Sequence, residues 1–331
     1  MMDSEPTSAP DTMIVPRYWA ESKTKKIVNG RSFSLRRLGW SDVAEEAAQQ
    51  HANARLNEAI SILERDGDVR QIDHKTSYNG AEGIPIREEV VSKHQDVVIS
   101  RNGYGALCLN TPDVLFSDVD FEYEGSFGTF LVSCLLTFTG ISFLTLDIPA
   151  WIVWGAGLLV AIALMNPLHR IKNWLSGGVE KQAISRIQQV SEEHPELNMR
   201  VYRTPRGMRV LVMNQIYSPT STEALALLEK LDTDRLYTLM CKNQNCFRAR
   251  VSPKPWRMGM VRLRTGIWPI KSERTAEHRA WVEQYHQQAA GYSSCRYLFQ
   301  LGSSEVHEKA EFVRLLHDDL CRALDMTSEI A

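Results

Sequence analysis

Between Phe127 and Met165 the chain runs almost forty residues with a single charged side chain, Asp147. A helix rises about 1.5 Å per residue, so roughly 20 apolar residues cross a ~30 Å hydrocarbon core. The run therefore predicts two crossings, Gly128–Leu146 and Ile148–Met165. They divide at Asp147 and Pro149, because a proline without an N–H suits a tight turn between helices. Gly140, Gly155 and Gly157, with Ala156, Ala161 and Ala163, would let the arms approach closely in lipid. His169, Arg170 and Lys172 follow the second arm, and no Lys or Arg marks the turn, which puts both ends of the hairpin in the cytoplasm. Trp151 and Trp154 would then lie at the far interface and Trp174 at the near one. The alternative is a buried hairpin in the core of a large soluble protein.

The flanking sequence is patterned differently. Residues 14–40 alternate apolar and basic positions around Asn29-Gly30, a hairpin turn between two short strands. Asp42 and Glu45 read as a helix start, with Leu56, Ile60 and Leu63 at helical spacing and Gly67 as the stop. Residues 68–93, with Asn79-Gly80 and Gly83, read as an irregular connection. Three strands follow at Asp96–Ser100, Tyr104–Leu109 and Val114–Val119. Beyond the apolar run, Ser176-Gly177-Gly178 is a hinge before a helix over Val179–Glu193. A hairpin pairs Met199–Thr204 with Met208–Met213. Thr220 and Glu223 form a capping box for a helix to Leu231, and a short helix covers Asp234–Cys241. Phe247–Val251 is a strand, Ser272–Ala290 a helix, Ser293–Leu301 a strand and Val306–Met326 a last helix. These elements predict an α+β fold with a mixed or antiparallel sheet and helices, interrupted by a two-helix transmembrane hairpin. Residues 14–126 and 167–331 would build one cytoplasmic body, behind a disordered acidic tail at 1–13.

Composition changes this picture little, and charge changes it more. The 331 residues are 44% hydrophobic and 24% charged, ordinary for globular material beside a membrane segment. The start, MMDSEPTSAPDTM, lacks the basic and apolar regions of a signal peptide. Six scattered cysteines, one in the first apolar arm, suit a reduced compartment rather than a disulfide framework. Residues 200–275 hold 15 Lys and Arg against 5 Asp and Glu, which leaves 23 against 35 for the rest of a chain of net charge −2. A block so biased is a surface for the phosphates of nucleic acid, nucleotide or anionic lipid, or else a face balanced by acidic neighbours in the fold.

Two groups of residues carry candidate chemistry. Asp118 and Asp120 stand two apart in a strand, project from one face and could hold Mg²⁺ or Mn²⁺. The other reading of such a pair is a solvated turn. Arg203, Thr204, Arg206 and Arg209 sit around the hairpin turn that could face them. Arg248, Arg250, Lys254 and Arg257 are interleaved with Phe247 and Trp256, a mixture that binds backbone phosphates while stacking bases. Cys241 and Cys246 are spaced more widely than most zinc knuckles and read as buried thiols, although Cys295, His307, His317 or Cys321 could complete a site through folding. His317-Asp318-Asp319 reads as a solvated helix end. No phosphate-binding glycine loop, dinucleotide fingerprint or nucleophile elbow is present.

The acidic strand, helix and hairpin order resembles, remotely, the archaeo-eukaryotic primase-polymerase superfamily. Asp118 and Asp120 match its acidic strand, and Thr204 and Gly207 the small residues of its hairpin. Arg209 stands near the place of the family's His, and a third acidic motif is not evident. Longer phrases, VPRYWA (15–20), RRLGWSD (36–42), RNGYGALCLNT (101–111), LFSDVD (115–120), VYRTPRGMRVLV (201–212) and CFRARVSPKPWRM (246–258), resemble an uncharacterised bacterial two-helix transmembrane family. That resemblance implies a membrane-embedded bacterial protein and no activity; with the hairpin and the charges that flank it, the expectation is a multi-pass protein of the bacterial inner membrane with both termini cytoplasmic. The expected function is thus a non-enzymatic membrane protein binding phosphate, nucleic acid or anionic lipid. The alternative is a metal-dependent nucleotide- or nucleic-acid-processing enzyme using Asp118 and Asp120.

Overall fold

Asn29 and Gly30 both take positive φ, 52° and 75°, the twist that a two-residue turn needs to join right-twisted strands. They close a hairpin of β1 (Tyr18–Val28) and β2 (Arg31–Ser41), longer than the two short strands expected. Helix α1 (Glu45–Asp66) covers it, burying Leu56, Ala59 and Leu63 against Phe33 and Leu35. Asp42 does not cap that helix. It accepts from the Arg17 backbone N–H and from Lys93 Nζ instead, while Ala44 occupies the capping position. The computed structural model describes residues 15–73, 84–121, 127–142, 149–175 and 177–331. The tail 1–13, the turns at Asn79-Gly80 and Gly83, and Asp147 lie outside them.

Strands β3 (Glu89–His94), β4 (Val97–Arg101), β5 (Leu107–Thr111) and β6 (Phe116–Asp120) follow. β3 falls where an irregular connection was expected: it is a half-exposed sheet edge, so it shows no apolar alternation. β5 starts three residues late because Asn102 Oδ1 accepts from the backbone N–H groups of Tyr104, Gly105 and Ala106 and holds them in a turn. After the apolar pair come α4 (Val179–Glu193), β7 (Asn198–Thr204), β8 (Gly207–Val212), α5 (Thr222–Lys230), α6 (Arg235–Gln244) and β9 (Phe247–Arg250). Helix α7 (Thr275–Ala289), β10 (Tyr292–Ser293), β11 (Arg296–Gly302), α8 (Glu308–Cys321) and β12 (Glu329–Ile330) complete the chain.

The fold is mixed α+β with two four-stranded antiparallel sheets, β11-β7-β8-β6 and β3-β4-β5-β9, and a short parallel pair of β10 with β12. β6 pairs with β8 and β5 with β9, so each sheet combines strands from both sides of the apolar segment. One core joins them: Ile99, Leu109 and Ala249 pack with Val119, Val210 and Leu211, and α4 adds Ala183, Ile187 and Val190.

The apolar segment forms α2 (Phe127–Ser142) and α3 (Ala150–Leu175), packed on each other. Among the described residues only α3 is long and apolar enough to cross a membrane, with 25 residues from Trp151 to Leu175 at a mean hydropathy of 1.8. The second arm does not end at Met165. The helix passes through Pro167 to Leu175, at the loss of one backbone hydrogen bond. Of the small residues expected between the arms, Gly157 and the buried Ala161 are there. A Cβ on Gly157 would stand 2.7 Å from Ile141 Cδ1, whereas Gly140 and Gly155 face open space. Only 11% of the apolar window of α3 is buried, and Leu135 on α2 and Trp151 and Leu159 on α3 are exposed.

Candidate functional site

The ladder between β6 and β8 sets Asp118 opposite Arg209 and Asp120 opposite Gly207. A Cβ at Gly207 would lie 2.2 Å from the Val119 carbonyl oxygen, so glycine alone lets the β7–β8 turn close onto the acidic strand. Arg248 and Arg250 project two apart from β9. Pro255 opens a 3-10 turn, Pro255–Arg257, that brings Lys254 at its start and Arg257 at its end alongside. These elements enclose a cleft of about 1260 Å³ lined by Asp118, Asp120, Thr204, Arg206, Arg209, Arg248, Arg250, Lys254 and Arg257. Of the ten residues singled out from the sequence, the cleft gathers nine. Arg203 is outside its lining, where it bonds Glu180 and lies over the Phe121 ring.

Two of the six cations among them are already committed. Arg209 is fully buried and donates to both oxygens of Asp118, Nε at 2.7 Å and Nη2 at 3.2 Å, while its Nη1 donates to the Arg250 carbonyl at 2.8 Å. Burial opposes its charge, but the Asp118 carboxylate outweighs burial and raises its pKa. Arg248 donates to both oxygens of the buried Glu88, at 2.8 and 2.6 Å, and Ser100 donates to the same carboxylate. Neither guanidinium is free for a phosphate. The fold thus balances part of the basic block internally, the second reading that its charge allowed.

Arg206, Arg250, Lys254 and Arg257 are the remainder. None of the four forms an ion pair among the described residues, and buried N–H groups at Arg250 Nη1 and Arg257 Nη1 have no acceptor there. Burial and the charges of Arg250 and Arg257 hold the Lys254 ammonium down to about 8. Burial, then Arg250 and Arg206, bring Arg257 down to about 10. Cations that depress one another and carry unsatisfied donors form a site that an anion would relieve. Arg262 and Arg264, not singled out from the sequence, extend the basic wall. Tyr104, Trp268 and Ile270 add aromatic and apolar surface, and Lys254 lies 5.6 Å over the Trp256 ring.

The carboxylates are less suited to a metal than their spacing implied. Both Asp118 oxygens accept from Arg209, and among the described residues Asp120 has no ion-pair partner. Burial first, then Asp118 and Asp234, raise the Asp120 pKa. Asp234 also lines the cleft: its backbone N–H donates to the Asp118 carbonyl at 3.1 Å and its side chain caps α6. The Asp-x-x-x helix start at Asp234 is legible in the sequence, but its neighbourhood to Asp118 is set by tertiary pairing alone.

Outside the cleft, His317 and Asp318 are buried rather than a solvated helix end, and only Asp319 is exposed. Cys241 and Cys246 are buried thiols, and burial pushes Cys246 up to about 12. The chain was compared with protein families, curated proteins and solved structures, and it matches none of them. Its functional reading rests on the geometry of the cleft.

Proposed function

We propose that this chain is a membrane-anchored binding protein whose cytoplasmic α+β body takes a phosphate-rich ligand, a nucleotide or single-stranded nucleic acid, in the basic cleft. The observation that carries this reading is the group Arg206, Arg250, Lys254 and Arg257. Among the described residues these four cations share one cleft without ion-pair partners, and two buried guanidinium N–H groups among them lack acceptors. Phosphate oxygens supply both the charge and the acceptors. Tyr104 and Trp268 in the same lining offer faces for a base, which favours a nucleotide over a lipid headgroup.

The anchor in this reading is the pair α2 and α3. Trp151 and Trp174, both exposed, are separated by about 34 Å along α3, close to the thickness of a bilayer core with its interfaces. His169, Arg170 and Lys172 follow on the side of the α+β body, which favours a bacterial inner-membrane protein with both termini cytoplasmic.

The test is titration of detergent-purified full-length protein with ATP and with a labelled oligothymidylate, without divalent metal. Removing one charged hydrogen-bonding partner costs about 1.5–3 kcal/mol, so Arg250→Ala and Arg257→Ala are each expected to weaken binding ten-fold or more. Arg203→Ala, outside the cleft, should not. No binding at millimolar ligand, or equal loss in all three variants, sinks the reading. Tight binding only to anionic-lipid nanodiscs would transfer the cleft to a headgroup. An enzyme using Mg²⁺ or Mn²⁺ would need Asp118 to release Arg209. Mn²⁺ binding to wild type that disappears in Asp120→Asn would favour that alternative.

A further inference from the structure

His317 and Cys321 stand one turn apart on α8 and share a face, and Cys295 directly precedes β11, which α8 packs beside. All three side chains are buried. Cys295 Sγ and His317 Nε2 lie 3.9 Å apart, and the three donor atoms all lie within 4.8 Å of one another. Around a zinc ion bonded at about 2.3 Å to sulfur and about 2.0 Å to nitrogen, tetrahedral donors stand roughly 3.5–3.8 Å apart. Small side-chain adjustments close that difference.

The surroundings fix the imidazole as a ligand would be fixed. Its Nδ1 faces Asp318 Oδ1 at 3.3 Å. Asp318 is itself held by the Tyr202 hydroxyl at 2.6 Å, by Arg200 at 2.8 Å and by Arg314 at 3.2 Å. A carboxylate so anchored keeps the proton on Nδ1 and leaves the Nε2 lone pair directed at the thiols, the outer-shell arrangement of metal-bound histidines. The Phe116 and Tyr202 rings pack 5.3 and 4.7 Å from the imidazole and keep the site dry. Arg209 Nη1 is 3.4 Å from Nε2, but its shorter bond is to the Arg250 carbonyl, so Nε2 can exchange that contact for a metal. Two sulfur donors and an imidazole exclude Mg²⁺ or Ca²⁺ and suit a soft or borderline cation.

We propose that Cys295, His317 and Cys321 bind a structural zinc ion, directly behind the Arg209–Asp118 pair at the floor of the cleft. Binding replaces the two thiol protons, which leave to solvent, with one Zn²⁺, so two Zn–S bonds and one Zn–N bond form and the site stays neutral. Among the described residues these three donors alone converge, so no fourth protein ligand is assigned. Nothing in this assignment depends on the ligand of the cleft.

The experiment is metal analysis of tag-free full-length protein in detergent, followed by replacement of the bound ion with Co²⁺. We expect one zinc per chain and, with cobalt, a sulfur-to-metal charge-transfer band in the near ultraviolet. Cys321→Ser and Cys295→Ser should each lose both signals, and Cys241→Ser should keep them. Wild-type protein that retains no zinc and shows no charge-transfer band on cobalt addition overturns the proposal, whether or not the variants fold. So does a Cys295–Cys321 disulfide found by mass spectrometry of protein prepared under reducing conditions, or iron or copper in place of zinc.

Discussion

Lys254 is the residue whose surroundings make the sharpest statement about binding. Burial and the neighbouring Arg250 and Arg257 bring its pKa in the free protein to about 8, and a bound phosphate would raise it again. Between those two values the bound state holds more protons than the free one. Affinity should therefore be flat below pH 8 and fall as the pH rises through about 8. Lys254→Arg, which stays charged, should bind with no such fall between pH 7 and 9; a parallel fall in both proteins would place the titrating group elsewhere. The same reasoning separates the two acidic residues of β6. Asp118→Asn leaves a buried guanidinium facing a neutral amide, and its thermal unfolding should show a loss of about 3 kcal/mol, the low end for a broken buried pair because Asp118 is one-third exposed. Asp120→Asn should be neutral or slightly stabilising, since its charge is disfavoured by burial, Asp118 and Asp234. Equal losses would contradict the pairing. The composition of this site was legible in the sequence, because a basic block and an acid pair show as residue types. Which cations are spoken for was not. Arg209 finds Asp118 across 91 positions and Arg248 finds Glu88 across 160, and no local pattern encodes either.

At the level of helices and strands, local signals fixed existence and type better than ends. The helix α4 has the residues expected of it, since Gly177-Gly178 and His194-Pro195 punctuate both sides. For α5 the sequence offered Thr220 and Glu223 as a capping box, whereas Ser221 Oγ accepts from the Ala224 N–H and is the cap. Two adjacent hydroxyl residues compete for that role, and Ser221 takes it. Ser221→Ala should thus cost about 1 kcal/mol and Thr220→Ala almost nothing, read as shifts in unfolding temperature; the reverse order would return the cap to Thr220. β3 stayed hidden for a different reason. An edge strand with one partner and a wet face needs neither alternation nor β-branched residues, so its pairing with β4 is tertiary information.

For the whole molecule, the balance of solvents decides. The pair α2 and α3 exposes the large apolar side chains of Leu131, Leu135, Trp151, Leu159 and Trp174, a surface for lipid or a protein partner to cover. The full chain should sediment with membranes, resist an alkaline carbonate wash and come into solution with detergent. Replacing residues 122–176 by a short Gly/Ser linker should leave the α+β body in the supernatant, because among the described residues its core draws on none from the apolar pair. A full-length chain that stays in the supernatant would reassign those surfaces to a protein partner.

The interleaving of β6 with β8 and of β5 with β9 constrains how the protein can be made. When β6 emerges from the ribosome its ladder partner is still unsynthesised, and at about 5–20 residues per second the wait for β8 lasts several seconds. If the apolar segment is an anchor, as proposed above, it would be available for insertion during that interval while two half-built sheets still lack their partner strands. On that reading the anchor is laid down first, and the cleft is assembled afterwards.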